Sequence, residues 1–75
     1  MSNVVLLDAT GLNCPLPILR AKKALKDMKE GQFLEIITTD PGSVKDFESF
    51  CNTTRNKLES TSHLNGQFKF TIKKT

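Results

Sequence analysis

VVLLDATGLNCPLPILRAKKALKDMK, residues 4–29, changes its hydrophobic period across a single loop, and that change decides the fold. Residues 4–8 are short, apolar and rich in valine and leucine, which predicts a buried strand ending at Asp8. ATGLN then reads as a loop in which Gly11 is free to take a positive φ. From Pro15 to about Lys29 the period becomes helical: Ile18, Ala21, Leu25 and Met28 recur at intervals of three and four and form a core-facing stripe. Lys22, Lys26 and Lys29 fall on another stripe, where cations late in the helix suit its negative end, and Gly31 is the expected C-terminal cap.

Outward from this β-loop-α unit, residues 33–39 (FLEIITT) predict a second strand, with Leu34, Ile36 and Thr38 on one face and Phe33, Glu35 and Ile37 on the other. TDPGS ends it and opens a second helix, capped by Asp40 or by Ser43 with Asp46 three residues on. Val44, Phe47, Phe50 or Cys51, and Thr54 mark its buried stripe, which runs to about Asn56. Residues 57–63 and 67–73 are two strands joined at Asn65-Gly66, a strong hairpin-turn pair. The order is β-α-β-α-β-β. Right-handed crossovers place both helices on one face of a four-stranded mixed sheet, giving an α/β (α+β) two-layer sandwich whose other face is largely open.

Seventy-five residues make one domain, 1–75, near the lower limit for a single packed core. Two cysteines cannot build a disulfide framework, and no CxxC or Cys/His cluster suggests a metal; no cofactor motif is present either. The start, MSNVVLLDATGLNC, has neither a basic leader nor a long apolar run, so neither a targeting signal nor a membrane segment is expected. The expected compartment is the cytoplasm, where thiols stay reduced. The net charge of +3 fits an acidic partner, while the lack of Trp, Tyr and an arginine-rich tract gives no pointer to direct nucleic-acid binding.

Cys14 stands before Pro-Leu-Pro. With Pro15 at the first helical position, Cys14 is the N-cap, and Pro17, third in the helix, still lies in the turn whose amides have no helical partner. Pro17 has no N–H, which leaves the Leu16 amide as the donor to the sulfur. Dipole and amide together would then favour a thiolate by a modest margin. Alternatively, because Pro17 disfavours helical geometry at Leu16, the helix begins at Pro17. A buried apolar filler is the competing reading of Cys14. The glycine loop and two rigid prolines instead suit a thiol that meets a partner's sulfur, with Gly11, Pro15, Leu16 and Pro17 supporting the site.

No catalytic base accompanies it. His63, the sole histidine, falls in a strand before the hairpin and reads as a surface residue. Cys51 lies on an apolar stripe beside Phe47 and Phe50 and reads as core. Arg20, Lys22, Lys23 and Lys26 read either as a solvated face or as a surface that steers an acidic partner or tRNA toward the thiol.

LDATGLNCPLPILRAKKAL resembles the signature of the TusA-type (SirA-like) sulfur-carrier family, with its Cys-Pro-x-Pro motif. The resemblance spans nearly the whole chain and includes Asp8, Gly11, Lys23, Gly31, Thr39-Asp40-Pro41 and Phe50-Cys51. It implies the same β-α-β-α-β-β fold, found also in the C-terminal domain of translation initiation factor 3. It further implies that Cys14 carries a persulfide, taken from a cysteine desulfurase or rhodanese-like donor. The sulfur then passes to an acceptor protein serving tRNA thiolation, molybdenum-cofactor synthesis or sulfur oxidation; some relatives are linked to selenium metabolism. Two departures stand out. Leu16 lies between the prolines where some tRNA-thiolation carriers have an acidic residue, and Thr54-Arg55-Asn56 replaces a Thr-Gly-Asn/His of many relatives. The competing functions are a non-catalytic RNA- or protein-binding module on the same fold and a one-cysteine peroxidase or redox sensor.

Overall fold

The computed structural model describes residues 4–75, so Met1, Ser2 and Asn3 of the segment read for targeting lie outside the described residues. Its elements follow the predicted order: β1 (Val4–Ala9), α1 (Leu16–Lys26), β2 (Phe33–Thr38), α2 (Ser43–Thr54), β3 (Lys57–Leu64) and β4 (Gln67–Lys73). The four strands form one sheet in the order β1-β2-β4-β3. β1 runs parallel to β2, with Val4 opposite Phe33 and Ala9 opposite Thr38. β4 pairs antiparallel with both β2 and β3. This is the mixed sheet with two helices that the periodicity predicts. Among the described residues, no helix is long and apolar enough to cross a membrane.

Alternation along the strands decides what is buried. Leu34, Ile36 and Thr38 of β2 and Phe70 and Ile72 of β4 lie fully inside against the helices, while Phe33, Glu35 and Ile37 turn to the open face and are half-buried. Ala21, Leu25 and Met28 come from the α1 side and Phe47 and Cys51 from α2, with Ile18, Val44 and Phe50 partly buried around them. Phe47 stacks on Phe70 with ring centroids 4.7 Å apart, which fixes α2 over the middle of the sheet. Thr54, expected on the buried stripe, is exposed; its hydroxyl returns to the Phe50 carbonyl at 2.8 Å.

Both helices differ from expectation at their ends. α1 stops at Lys26 with Asp27 as its C-cap, and Gly31 does not cap it. Gly31 instead takes φ +87° in the turn before β2, and its amide donates to the Lys74 carbonyl at 2.9 Å. Lys74 N–H donates in turn to Gln32 at 2.8 Å. The glycine is used to line up the chain end with β2, a contact between distant segments that local pattern does not contain. α2 has Gly42 as its N-cap and no side-chain cap bond, so neither Asp40 nor Ser43 caps it in the predicted way. Ser43 is buried: its hydroxyl donates to the Asp40 carbonyl at 2.6 Å and therefore accepts from Thr38, also at 2.6 Å. Asn65 (φ 53°) and Gly66 (φ 76°) form the tight hairpin turn as read.

Candidate functional site

Parallel pairing of β1 with β2 brings the loops that follow both strands to the same edge of the sheet. Chain direction is shared and the register ends together at Ala9 and Thr38, so the Cys14 loop runs beside the Thr39–Gly42 loop. Two hydrogen bonds stitch them. Gly11 N–H donates to the Thr39 hydroxyl at 2.8 Å, and Cys14 N–H donates to the Asp40 carboxylate at 2.9 Å. The other Asp40 oxygen accepts from Gly42 N–H at 3.0 Å, so one carboxylate binds the backbone of both loops. Hydrogen bonds to a charged acceptor are the stronger kind, worth about 1.5–3 kcal/mol each. Within the first loop, Asp8 accepts from the Thr10 amide and hydroxyl at 2.9 and 2.7 Å, and these bonds lower its pKa.

The helix start differs from the predicted one. Pro15 is the N-cap of α1, Leu16 its first residue and Pro17 its second, so Cys14 lies one residue before the cap. The Cys14–Pro15 peptide bond is cis. The Leu16 amide, expected to serve the sulfur, donates instead to the Asn13 carbonyl at 2.8 Å. The thiol therefore gains no amide donor from the helix, and the expected shift toward thiolate is reversed. The pKa of Cys14 is raised, first by the nearby Asp46 carboxylate, then by partial desolvation and by the negative charge of Asp40.

Cys14 is exposed and free, and it opens on a shallow depression of about 340 Å³ lined by Pro15, Ile18, Asp46, Ser49, Phe50 and Thr53. Pro17 points the other way and is buried, which anchors the start of α1 in the core. Leu16 and Leu19 are 46% and 52% exposed, forming an apolar shoulder on the helix next to the thiol.

Arg20, Lys22, Lys23 and Lys26 are all exposed on α1. Lys22, Lys23 and Lys26 belong to a larger groove of about 530 Å³ whose floor includes Leu19, Leu25 and Phe50 and whose far wall includes Thr54, Lys74 and Thr75. Arg20 does not line it. Phe50 borders both this groove and the Cys14 depression, so the two surfaces adjoin.

Cys51 is 4% exposed, in the core as read, and it lines a different depression from that of Cys14. Burial pushes its thiol up to about 11. His63 is exposed on β3 and stacks on Phe68 at 4.2 Å between ring centroids, away from the thiol. No group of three His, Cys, Asp or Glu side chains among the described residues could hold a metal ion. The residues that sequence reasoning missed are Asp40 and Asp46. Both stood out as cap candidates for α2, and the signal that relocates them is the parallel β1–β2 pairing, which turns the first part of α2 toward the cysteine loop.

A small two-layer sandwich presenting one exposed cysteine at the head of its first helix is the framework of a known family. The chain belongs to the Sulfurtransferase TusA family, which it matches over residues 5–74. It is 59% identical to the Sulfur carrier protein TusA of Allochromatium vinosum over 69 residues, covering 92% of this chain and 91% of that one. It is 50% identical to a putative sulfur carrier protein of Neisseria meningitidis serogroup A over 66 residues, covering 88% of this chain and 89% of the relative. Among solved structures, the SirA-like protein of Desulfitobacterium hafniense superposes with a TM-score of 0.81 at 27% identity, covering 93% of this chain and 95% of that one.

Proposed function

We propose that the protein is a sulfur carrier that accepts sulfane sulfur as a persulfide on Cys14 and relays it to an acceptor protein. The observation that carries this reading is the way Cys14 is held: its backbone amide is fixed to Asp40 while its sulfur remains exposed. A tethered backbone with an accessible sulfur suits meeting a partner's sulfur. In the loading step the Cys14 thiolate attacks the outer sulfur of a donor cysteine persulfide. The donor S–S bond breaks, a new bond forms to Cys14 Sγ, and the donor cysteine leaves as a thiolate that takes up a proton. The sulfur is exchanged between equivalent thiol sites, so no external oxidant, reductant, metal or cofactor enters. Unloading repeats the step with the acceptor as nucleophile.

The donor class is a cysteine desulfurase or rhodanese-like protein. The groove beside the thiol supports docking of an acidic protein: its floor is apolar, and Lys22, Lys23, Lys26 and Lys74 rim it without an ion-pair partner among the described residues. Arg20 extends the same positive face. The exposed Leu16 and Leu19 give an acceptor an apolar foothold at the thiol. tRNA thiolation, molybdenum-cofactor synthesis and sulfur oxidation are the candidate destinations, and the cytoplasm is the compartment this chemistry fits.

Incubation with a cysteine desulfurase and cysteine is expected to add the mass of one sulfur to the protein, read by intact mass spectrometry and removed by reductant. Cys14→Ser should show no addition while Cys51→Ser loads normally. Loading of the Cys14→Ser variant, or failure of the wild type with desulfurase and rhodanese donors alike, overturns the reading.

A further inference from the structure

The two edges of the sheet are built differently. β3 forms one edge and carries the features that keep a strand from pairing with another chain. Lys57 and Glu59 are charged, a bulge interrupts the register between Leu58 and Ser60, and most of its side chains are polar and exposed. β1 forms the other edge, and among the described residues no strand covers its outer side. Its sequence, VVLLDA, holds no proline, no bulge and no charge before Asp8. Leu6, in the middle, lies on the open face and is 74% exposed, while Val5 and Leu7 lie on the helix side and are only partly buried.

The helix over β1 shows the same asymmetry. α1 packs on both β1 and β2, and α2 closes one of its flanks at the groove of Leu19, Lys22, Lys23 and Lys26. On the opposite flank Arg20, Ala24 and Asp27 recur at intervals of four and three. Ala24 is half-buried between two exposed side chains of opposite charge. Neither Arg20 nor Asp27 has an ion-pair partner among the described residues.

We propose that the outer edge of β1 and this flank of α1 form one interface, and that its partner is a second copy of this chain, related by a two-fold axis at Leu6. The sheets join through antiparallel β1 strands, with Leu6 opposite its own counterpart and Val5 opposite Leu7 of the second copy. A helix centred between β1 and β2 lies about one strand spacing from the axis, so the two α1 helices lie about 10 Å apart. That distance is a normal packing separation, and the small Ala24 side chain permits it. The antiparallel relation also brings Arg20 of each copy to Asp27 of the other. An extended peptide would cover β1 alone; the self-complementary charges on α1 are what select a second copy.

Both carrier sites stay open in this dimer. Cys14 follows the C-terminal end of β1, so antiparallel pairing sends the two thiol loops to opposite ends of the joined strands. Each lysine groove remains on the outer flank of its helix. The interface is a strand about 20 Å long plus one helix flank, which places the dimer in the weak, reversible class.

Sedimentation equilibrium of the full chain tests this, with reductant present so that no Cys14 disulfide links two chains. Over about 10 µM to about 1 mM, the range in which a weak dimer forms, the mass should rise from one chain toward two. Leu6→Lys puts two cations on the axis and should raise the dissociation constant about tenfold or more, and so should Arg20→Glu. Arg20→Glu/Asp27→Arg rebuilds the cross-pair with reversed signs and should recover dimerisation, which a folding defect cannot do. Leu64→Lys, at the other edge, should leave the dimer unchanged. A one-chain mass at every concentration overturns the proposal. So does a dimer that survives Leu6→Lys or Arg20→Glu, fails to return in the charge-swapped variant, or is lost in Leu64→Lys.

Discussion

Cys14 and Cys51 are the same functional group with raised pKa values from different leading causes. Carboxylates act on the exposed Cys14, whereas Cys51 is held up to about 11 by desolvation alone. Only the second is coupled strongly to folding. For Cys51 the folded value lies above the reference of 9.0, so its contribution is complete at lower pH and is lost as pH rises through about 11. A shift of that size corresponds to at most about 2–3 kcal/mol, at about 1.4 kcal/mol per pH unit. The informative comparison is between variants. Cys51→Ala should lose about 1 kcal/mol at pH 7 from the missing sulfur, yet its stability should fall less than that of the wild type between pH 8 and pH 10.5. Urea unfolding at the two pH values measures this, and equal losses would contradict the burial account.

At the scale of the elements, the C-terminus of α2 carries a local conflict. Arg55 is its C-cap in the left-handed region at φ 63°, a position usually given to glycine. The Arg55 carbonyl accepts from the Thr75 hydroxyl at 2.7 Å, and Thr75 N–H donates to Asn56 at 3.0 Å, so the chain end locks this turn in place. Arg55→Gly should relieve the side-chain clash without touching those bonds and stabilise the fold by about 1 kcal/mol, seen as a higher midpoint in thermal unfolding. The interiors of the elements were legible from period alone: the inward set Leu34, Ile36, Thr38 and the outward lysines of α1 follow from spacings of two and of three to four. The start of α1 was less so. Asn13 competes for the Leu16 amide, and nothing in Cys-Pro-Leu-Pro reveals that competition. The thiol's electrostatics were least legible. They come from Asp40 and Asp46, which meet Cys14 only once β1 and β2 pair in parallel.

Across the whole molecule, charge and apolar surface are distributed unevenly. On the open sheet face Lys69 pairs with Glu35 at 3.1 Å, and Lys57 approaches Glu59 at 3.8 Å on the edge strand. The lysines around the α1 groove have no such compensation among the described residues, and the groove borders the thiol depression through Phe50. A surface of this kind acts on encounter: exposed charges speed association and orient the partner, with an effect that fades as ionic strength rises. Lys22→Glu/Lys26→Glu should therefore raise the KM for carrier in desulfurase-dependent loading by about tenfold at low salt, with little change in kcat, since neither residue lines the Cys14 depression. Added salt should weaken the wild type toward the variant. The gap between them should narrow as the salt rises from about 20 mM to about 300 mM, where the screening length is only several ångströms. A loss in kcat with KM unchanged would place the lysines in the transfer step and remove the docking account. An equal KM in both proteins would assign donor recognition to Leu16, Leu19 and the thiol loop alone.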